Sequence, residues 1–209
     1  AFKKNNCITY GIDPAKNLYP LSSKNHHIIC DYLNESSISE FKTLFDIIIA
    51  QNVFAHNTYP KEFLEICKSK LSEKGFIFIQ TSQADMIKNF QFDTIYHEHI
   101  SFFSVKSFCT LAKSVGLKII DVTRTSIHGT SFLFVLSLEG VDKSEDFISK
   151  EVVLNNEIIN TYSERCNLIS SNTFNKINEL RAQGYKIIGY GAAVREINSL
   201  PIAGFINSI

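Results

Sequence analysis

Phe45-Asp46-Ile47-Ile48-Ile49-Ala50 is the run that most limits how this chain can fold. After Asp46 the apolar residues follow one another without polar alternation, so a strand made from them buries both of its faces. Such a strand belongs in a parallel sheet whose crossover helices cover it on two sides. Two shorter units upstream share a theme. Cys7-Ile8-Thr9-Tyr10-Gly11-Ile12-Asp13 and His26-His27-Ile28-Ile29-Cys30-Asp31 each read as an apolar strand closed by an acid.

The segments between and after these strands carry helical spacing. Residues 35–44 read as a short amphipathic helix. From Pro60 to Leu71 the apolar stripe is Phe63, Leu64, Cys67 and Leu71, with Ile66 beside it and Pro60 suited to the first turn. Gly75 ends that unit and introduces a strand over 76–80. A helix over 104–115 carries Val105, Phe108, Leu111, Ala112 and Val115, and Gly116 stops it. Strands over 117–124 and 131–138 follow, joined through His128-Gly129-Thr130. The whole reads as a doubly wound, Rossmann-like α/β sheet with an antiparallel hairpin at its edge.

Past Asp142 the pattern changes. Residues 145–182 read as one long helix, with no Pro or Gly before Gly184. Its apolar positions suit packing, as a connector between domains or as part of a partner interface. Tyr185-Lys186-Ile187-Ile188-Gly189-Tyr190-Gly191-Ala192-Ala193 then reads as a strand entering a Gly-x-Gly turn, the start of a second α/β unit. The expected division is a first domain over 1–141 and the beginning of a second over 142–209.

Charge excludes several roles. Lys and Arg number 21, as do Asp and Glu. With no net field, a nucleic-acid or anionic-membrane partner is not expected. No apolar run has the length of a membrane span, and the N-terminus lacks a signal-peptide pattern. The chain opens Ala1-Phe2-Lys3-Lys4 without an initiator Met and reads as a fragment. Cys7, Cys30, Cys67, Cys109 and Cys166 form no C-x-x-C pair, which points to reduced thiols in a cytoplasm and away from a cysteine zinc site.

Polar residues at strand ends carry the functional argument. Ligands of open α/β sheets bind beyond the carboxyl ends of the strands. Asp13 and Asp31 stand there, able to accept from ribose hydroxyls and from an adenine amino group, although Asp before Pro14 is also ordinary turn chemistry. In Gln51-Asn52-Val53-Phe54-Ala55-His56, Asn52 is placed to line a cofactor pocket and His56 the substrate side; a loop and helix cap is the plainer alternative. Tyr96-His97-Glu98-His99 sets a phenol, a carboxylate and two imidazoles in succession. If this is a site, an irregular loop or single turn is expected to bring Tyr96 beside His99, where a neutral imidazole can lift a proton and a phenol can donate to the resulting oxyanion; the plainer alternative is a pair of histidines that merely satisfy backbone groups. A metal held by His97, Glu98 and His99 is disfavoured because adjacent side chains point apart. Gly189-Tyr190-Gly191-Ala192 is a loose dinucleotide-like turn without a third glycine. The glycine-rich loop expected of such a sheet is not in the sequence; its place is upstream of Ala1.

Taken in order, Asn52-Val53-Phe54-Ala55-His56, Gln91 through Ser104 with its Tyr96-His97-Glu98-His99 core, His128-Gly129-Thr130-Ser131 and Ile188-Gly189-Tyr190-Gly191-Ala192-Ala193 resemble the motifs of the sugar-nucleotide C-methyltransferases. That resemblance implies an S-adenosylmethionine-dependent enzyme that methylates nucleoside-diphosphate 4-keto-deoxysugars at carbon 3. It implies His99 as the general base, Tyr96 and Glu98 in support, and His56 lining the substrate pocket. Asp13, Asp31 and Asn52 would serve the cofactor, and Gly189, Gly191 and Ala192 the nucleotide sugar. The family also carries an N-terminal zinc-binding domain and the glycine-rich loop, and neither is in this sequence. Glu196-Ile197-Asn198-Ser199-Leu200 departs from the small Gly-Asn-Thr run of the family. Two other readings stay open: an O- or N-methyltransferase of the same fold, and a non-catalytic binding or assembly protein. The oligomeric state is not legible.

Overall fold

The computed structural model describes residues 5–82, 85–92, 94–95, 97–126, 130–151 and 153–188. Its elements in chain order are β1 (Tyr10–Ile12), α1 (Tyr19–Ser22), β2 (His27–Ile29), α2 (Glu35–Ser39), β3 (Phe45–Gln51) and a 3-10 turn over Phe54–His56. There follow α3 (Pro60–Ser69), β4 (Leu71–Ser82), α4 (Val105–Ser114), β5 (Lys118–Thr125), β6 (Ser131–Ser137), α5 (Ser144–Ile148) and α6 (Asn156–Ala182). β1 and β2 form a parallel pair, and a second sheet has the order β3-β4-β6-β5. Within it β3 and β4 are parallel, while β6 runs antiparallel to both β4 and β5. The α/β class is as the sequence indicated, and so is the closing hairpin. β6, the later strand, enters between β4 and β5.

Tyr10, His27 and Phe45 are the first residues of β1, β2 and β3, and they meet. The Tyr10 ring lies 4.9 Å from His27 and 5.3 Å from Phe45. The amino ends of the three strands are thus adjacent, with β1 paired to β2 in one sheet and β3 paired to β4 in the other.

One face of the second sheet holds the core. Ile77 and Ile79 of β4 and Phe134 and Leu136 of β6 are fully buried there, under Leu64 of α3 and Phe108 of α4. Phe108 stacks on Phe134 with centroids 3.8 Å apart. Burial of each such side chain contributes about 1.5–3 kcal/mol. α4 presents Val105, Phe108, Cys109 and Ala112, the helical repeat that makes one buried stripe. Ser104 caps its start through a capping box with Ser107, and Gly116 leaves its end at φ +75°. Lys68 of α3 donates to the Val115 carbonyl at 2.7 Å and so ties the two helices. The other face is less covered: Ile47 and Ile49 of β3 are 52% and 44% exposed.

Several elements differ from their sequence reading. Helix 35–44 ends at Ser39, because Phe41 turns away to join Tyr10 and Phe45 in an aromatic cluster. β4 begins at Leu71, ahead of Gly75. Its ladder to β3 slips between Phe45 and Ile47, and a side chain at Gly75 would meet the Phe45 carbonyl at 3.0 Å. Glycine is needed there for close approach rather than to stop a helix. The long helix read over 145–182 is two helices. Between them Glu151 turns aside to accept from the backbone N–H groups of Val105 and Lys106, and Asn155 starts α6 afresh by capping Ile158. Residues 185–188 form no strand, and the remainder of that unit, with Gly189, Gly191 and Ala192, lies outside the described residues. So does His128-Gly129.

Candidate active site

The carboxyl ends of the strands gather polar groups. Asp13 follows β1 directly and Asp31 follows β2 by two residues. Asp13 N–H donates to the Ile29 carbonyl at 3.1 Å and holds the two ends together. Each acid spends one oxygen locally: Asp13 Oδ1 accepts from Ala15 N–H at 2.8 Å, and Asp31 Oδ1 from Tyr32 N–H at 2.7 Å. The second oxygen of each carboxylate accepts no hydrogen bond from the described residues. Asn52, directly after β3, adopts φ +54°, a conformation that asparagine tolerates better than most residues.

The chain then makes the turn Phe54–His56. Phe54 anchors it, fully buried, with Phe63, Phe103 and Phe108 at 5.3, 5.1 and 5.5 Å. With Phe54 fixed, the Ala55 carbonyl accepts from both Ile100 N–H (2.9 Å) and Ser101 N–H (3.1 Å). These bonds lash the irregular 97–101 segment to the turn. They bring His56 and His99 together, ring centroids 4.9 Å apart and planes at 50°.

Each imidazole is oriented by a peptide oxygen. His56 Nδ1–H donates to the Glu98 carbonyl and His99 Nδ1–H to the Thr94 carbonyl, both at 2.8 Å. A carbonyl only accepts, so the proton of the neutral ring resides on Nδ1 and the basic lone pair on Nε2. His99 is 8% exposed, with Phe102 edge-on at 6.2 Å. Glu98 acts on His56 through its backbone, while its own side chain is exposed. Tyr96 lies outside the described residues.

Among the described residues, no group of three His, Cys, Asp or Glu side chains is placed to hold a metal ion. The buried thiols are poor nucleophiles: burial pushes Cys67 up to about 12 and, foremost among its causes, Cys109 up to about 11. No helix among the described residues is long and apolar enough to cross a membrane. Sequence reasoning missed Thr94, whose contribution is a peptide oxygen that no side-chain motif reports.

Fold and edge together define a class, an α/β domain of the nucleotide-cofactor type whose polar groups collect where its strands end. The chain belongs to the methyltransferase domain family, whose model matches residues 1–122. It is 34% identical over 128 residues to the C-methyltransferase NovU of Streptomyces niveus, an alignment covering 59% of this chain and 30% of that protein. The chain thus spans about a third of that relative. Among solved structures, the plantazolicin methyltransferase BpumL, in complex with a pentazolic desmethyl analogue and SAH, is similar with a TM-score of 0.49 and 14% identity. That likeness covers 66% of this chain and 70% of that one. The 1,6-didemethyltoxoflavin-N1-methyltransferase of Burkholderia thailandensis gives 0.48 at 13% identity, covering 65% and 63%. The family assignment rests on the matched residues 1–122, not on these two likenesses.

Proposed function

We propose that the protein containing this chain transfers a methyl group from S-adenosylmethionine to the carbon beside the ketone of a nucleotide-linked keto-deoxysugar. The observation that carries this reading is the imidazole pair His56–His99, each ring held through Nδ1 by a backbone carbonyl. Membership of the methyltransferase domain family supports methyl transfer, and similarity to a C-methyltransferase supports carbon as the acceptor atom.

The residues at the strand ends fit the methyl donor chemically. Asp13 and Asp31 each keep a carboxylate oxygen beyond the one used in a local turn, and ribose hydroxyls and an adenine amino group are donors that such oxygens accept. Asn52 adds an amide at the end of β3. When bound, S-adenosylmethionine supplies the methyl group as an electrophile on a positively charged sulfur.

In this reading Nε2 of His99 takes the proton from the carbon next to the ketone, and the electron pair of that C–H bond passes into an enolate. The enolate oxygen needs a donor, a role suited to the phenol of Tyr96. Neutral His56, with its Nδ1–H already given to Glu98, offers a lone pair at Nε2 and donates there only as the imidazolium. In this reading residues 1–141 belong to the methyltransferase domain and 142–209 begin a substrate domain, with Gly189, Gly191 and Ala192 serving the nucleotide sugar.

A sugar nucleotide carrying deuterium at that carbon tests the reading. Incubated with the full-length protein and S-adenosylmethionine, it should give a C-methylated product with the deuterium released to water. An O-methylated product that keeps its deuterium would contradict the proposal.

A further inference from the structure

β4 carries a buried amide side chain directly after the apolar run Phe76-Ile77-Phe78-Ile79. Gln80 is 2% exposed, and its amide Nε2 has no hydrogen-bond partner among the described residues. A buried amide N–H left unpaired is costly, and native proteins rarely retain one without a use.

Its position limits what that use is. Gln80 pairs in register with Gln51 of β3 on one side and with Leu133 of β6 on the other. Gln51 directly precedes Asn52, where the chain turns at φ +54°. The Phe54–His56 turn packs against β4. Gln80 therefore belongs to the carboxyl end of a central strand, beside the edge that carries Asn52 and His56. Ile77 and Ile79 face the core, so alternation sets Gln80 on the other face with Phe76 and Phe78. Thr81, whose hydroxyl also has no hydrogen-bond partner among the described residues, is on the core face and turned away from that group.

We propose that Gln80 is a ligand-binding residue, donating its amide N–H to an oxygen of a molecule seated at the carboxyl edge. The inference rests on the methyl-transfer reading above for the identity of the molecules. A neutral amide donor suits a carbonyl, enolate or carboxylate oxygen. Two sources supply one: the ketone of the methyl acceptor and the amino-acid carboxylate of the methyl donor.

Gln80→Met in the full-length protein tests it, since Met keeps most of the volume and removes the donor. Calorimetric titration with S-adenosylhomocysteine, and separately with a nucleoside-diphosphate keto-deoxysugar, is expected to show affinity about tenfold weaker for one of the two, with Tm unchanged or raised. Loss for S-adenosylhomocysteine assigns the carboxylate; loss for the sugar nucleotide assigns the ketone. Gln80→Glu, which turns the donor into an acceptor, is expected to weaken the same ligand further and stands in should the Met variant fail to fold. Wild-type affinity for both ligands in the variants overturns the proposal. Both titrations read binding without turnover, so absence of methyl transfer by the wild-type protein would count against the proposed activity and leave the role of Gln80 to be decided by affinity.

Discussion

His56 and His99 face each other with ring centroids 4.9 Å apart, and each gives its Nδ1–H to a peptide oxygen at 2.8 Å. The carbonyls come from Glu98 and Thr94, one beside and one five residues before the second histidine. His99→Gln and His56→Gln each remove one ring, and the double variant reports their coupling. Methyl-transfer rates of the two single variants should not multiply to that of the double. Strict multiplication would mean that the rings act independently.

Glu151 holds the start of α4 by accepting from Val105 N–H at 2.6 Å and Lys106 N–H at 2.9 Å. A carboxylate at a helix N-terminus is favoured by both hydrogen bonding and the helix dipole. Glu151→Ala should cost about 1–2 kcal/mol, with Tm falling about 2–4 °C for each kcal/mol. Thermal unfolding followed by circular dichroism measures this, and an unchanged Tm would remove the clamp from the account.

Asp142 gives the protein an acid-sensitive point. Its slight burial acts to raise the carboxyl pKa, but hydrogen bonds from the backbone N–H and hydroxyl of Ser144 and from Ile119 N–H, with the charge of Lys113, bring it below the usual value. A pKa lower in the folded state means stability that is present above the unfolded carboxylate value and lost as pH falls through the folded one. Asp142→Asn should flatten the acid limb of a urea-unfolding series. An acid limb identical to wild type would contradict this.

The thiols should separate by accessibility. Cys7 is exposed, whereas Cys67 and Cys109 are buried with pKa values pushed up to about 12 and about 11. Iodoacetamide on the native protein, read by peptide mass spectrometry, should label Cys7 and spare both buried residues until denaturant is added. Labelling of Cys109 in native buffer would place it nearer the surface than its position on the buried face of α4 allows.

What the sequence disclosed followed the range of the interactions. The apolar run at 45–50 and the stripes of α3 and α4 are set by side chains within a few positions, and those elements appeared close to where their periodicity put them. The break between α5 and α6 depends on Glu151 reaching α4, 46 residues away, so no local pattern announced it. Entry of β6 between β4 and β5 likewise follows from long-range pairing. At the site, Tyr96-His97-Glu98-His99 was conspicuous by composition, and its meeting with His56 was expected only through family resemblance. The groups that aim the two rings are backbone oxygens of Thr94 and Glu98, which carry no signature in side-chain chemistry. Gln80 stood in plain view at the end of Phe76-Ile77-Phe78-Ile79, but only its burial without a partner distinguishes it from a strand terminus.

The central claim is that Nε2 of His99 removes the proton beside the ketone. The most direct measurement compares wild-type and His99→Asn full-length protein in methyl transfer from S-adenosylmethionine to a nucleoside-diphosphate keto-deoxysugar, with folding checked by Tm. Asn retains a side-chain N–H able to meet the Thr94 carbonyl but has no basic nitrogen. Turnover about 10²–10⁴-fold below wild type, at a Tm near that of wild type, is the expected result. Near-normal turnover in the variant would contradict the account.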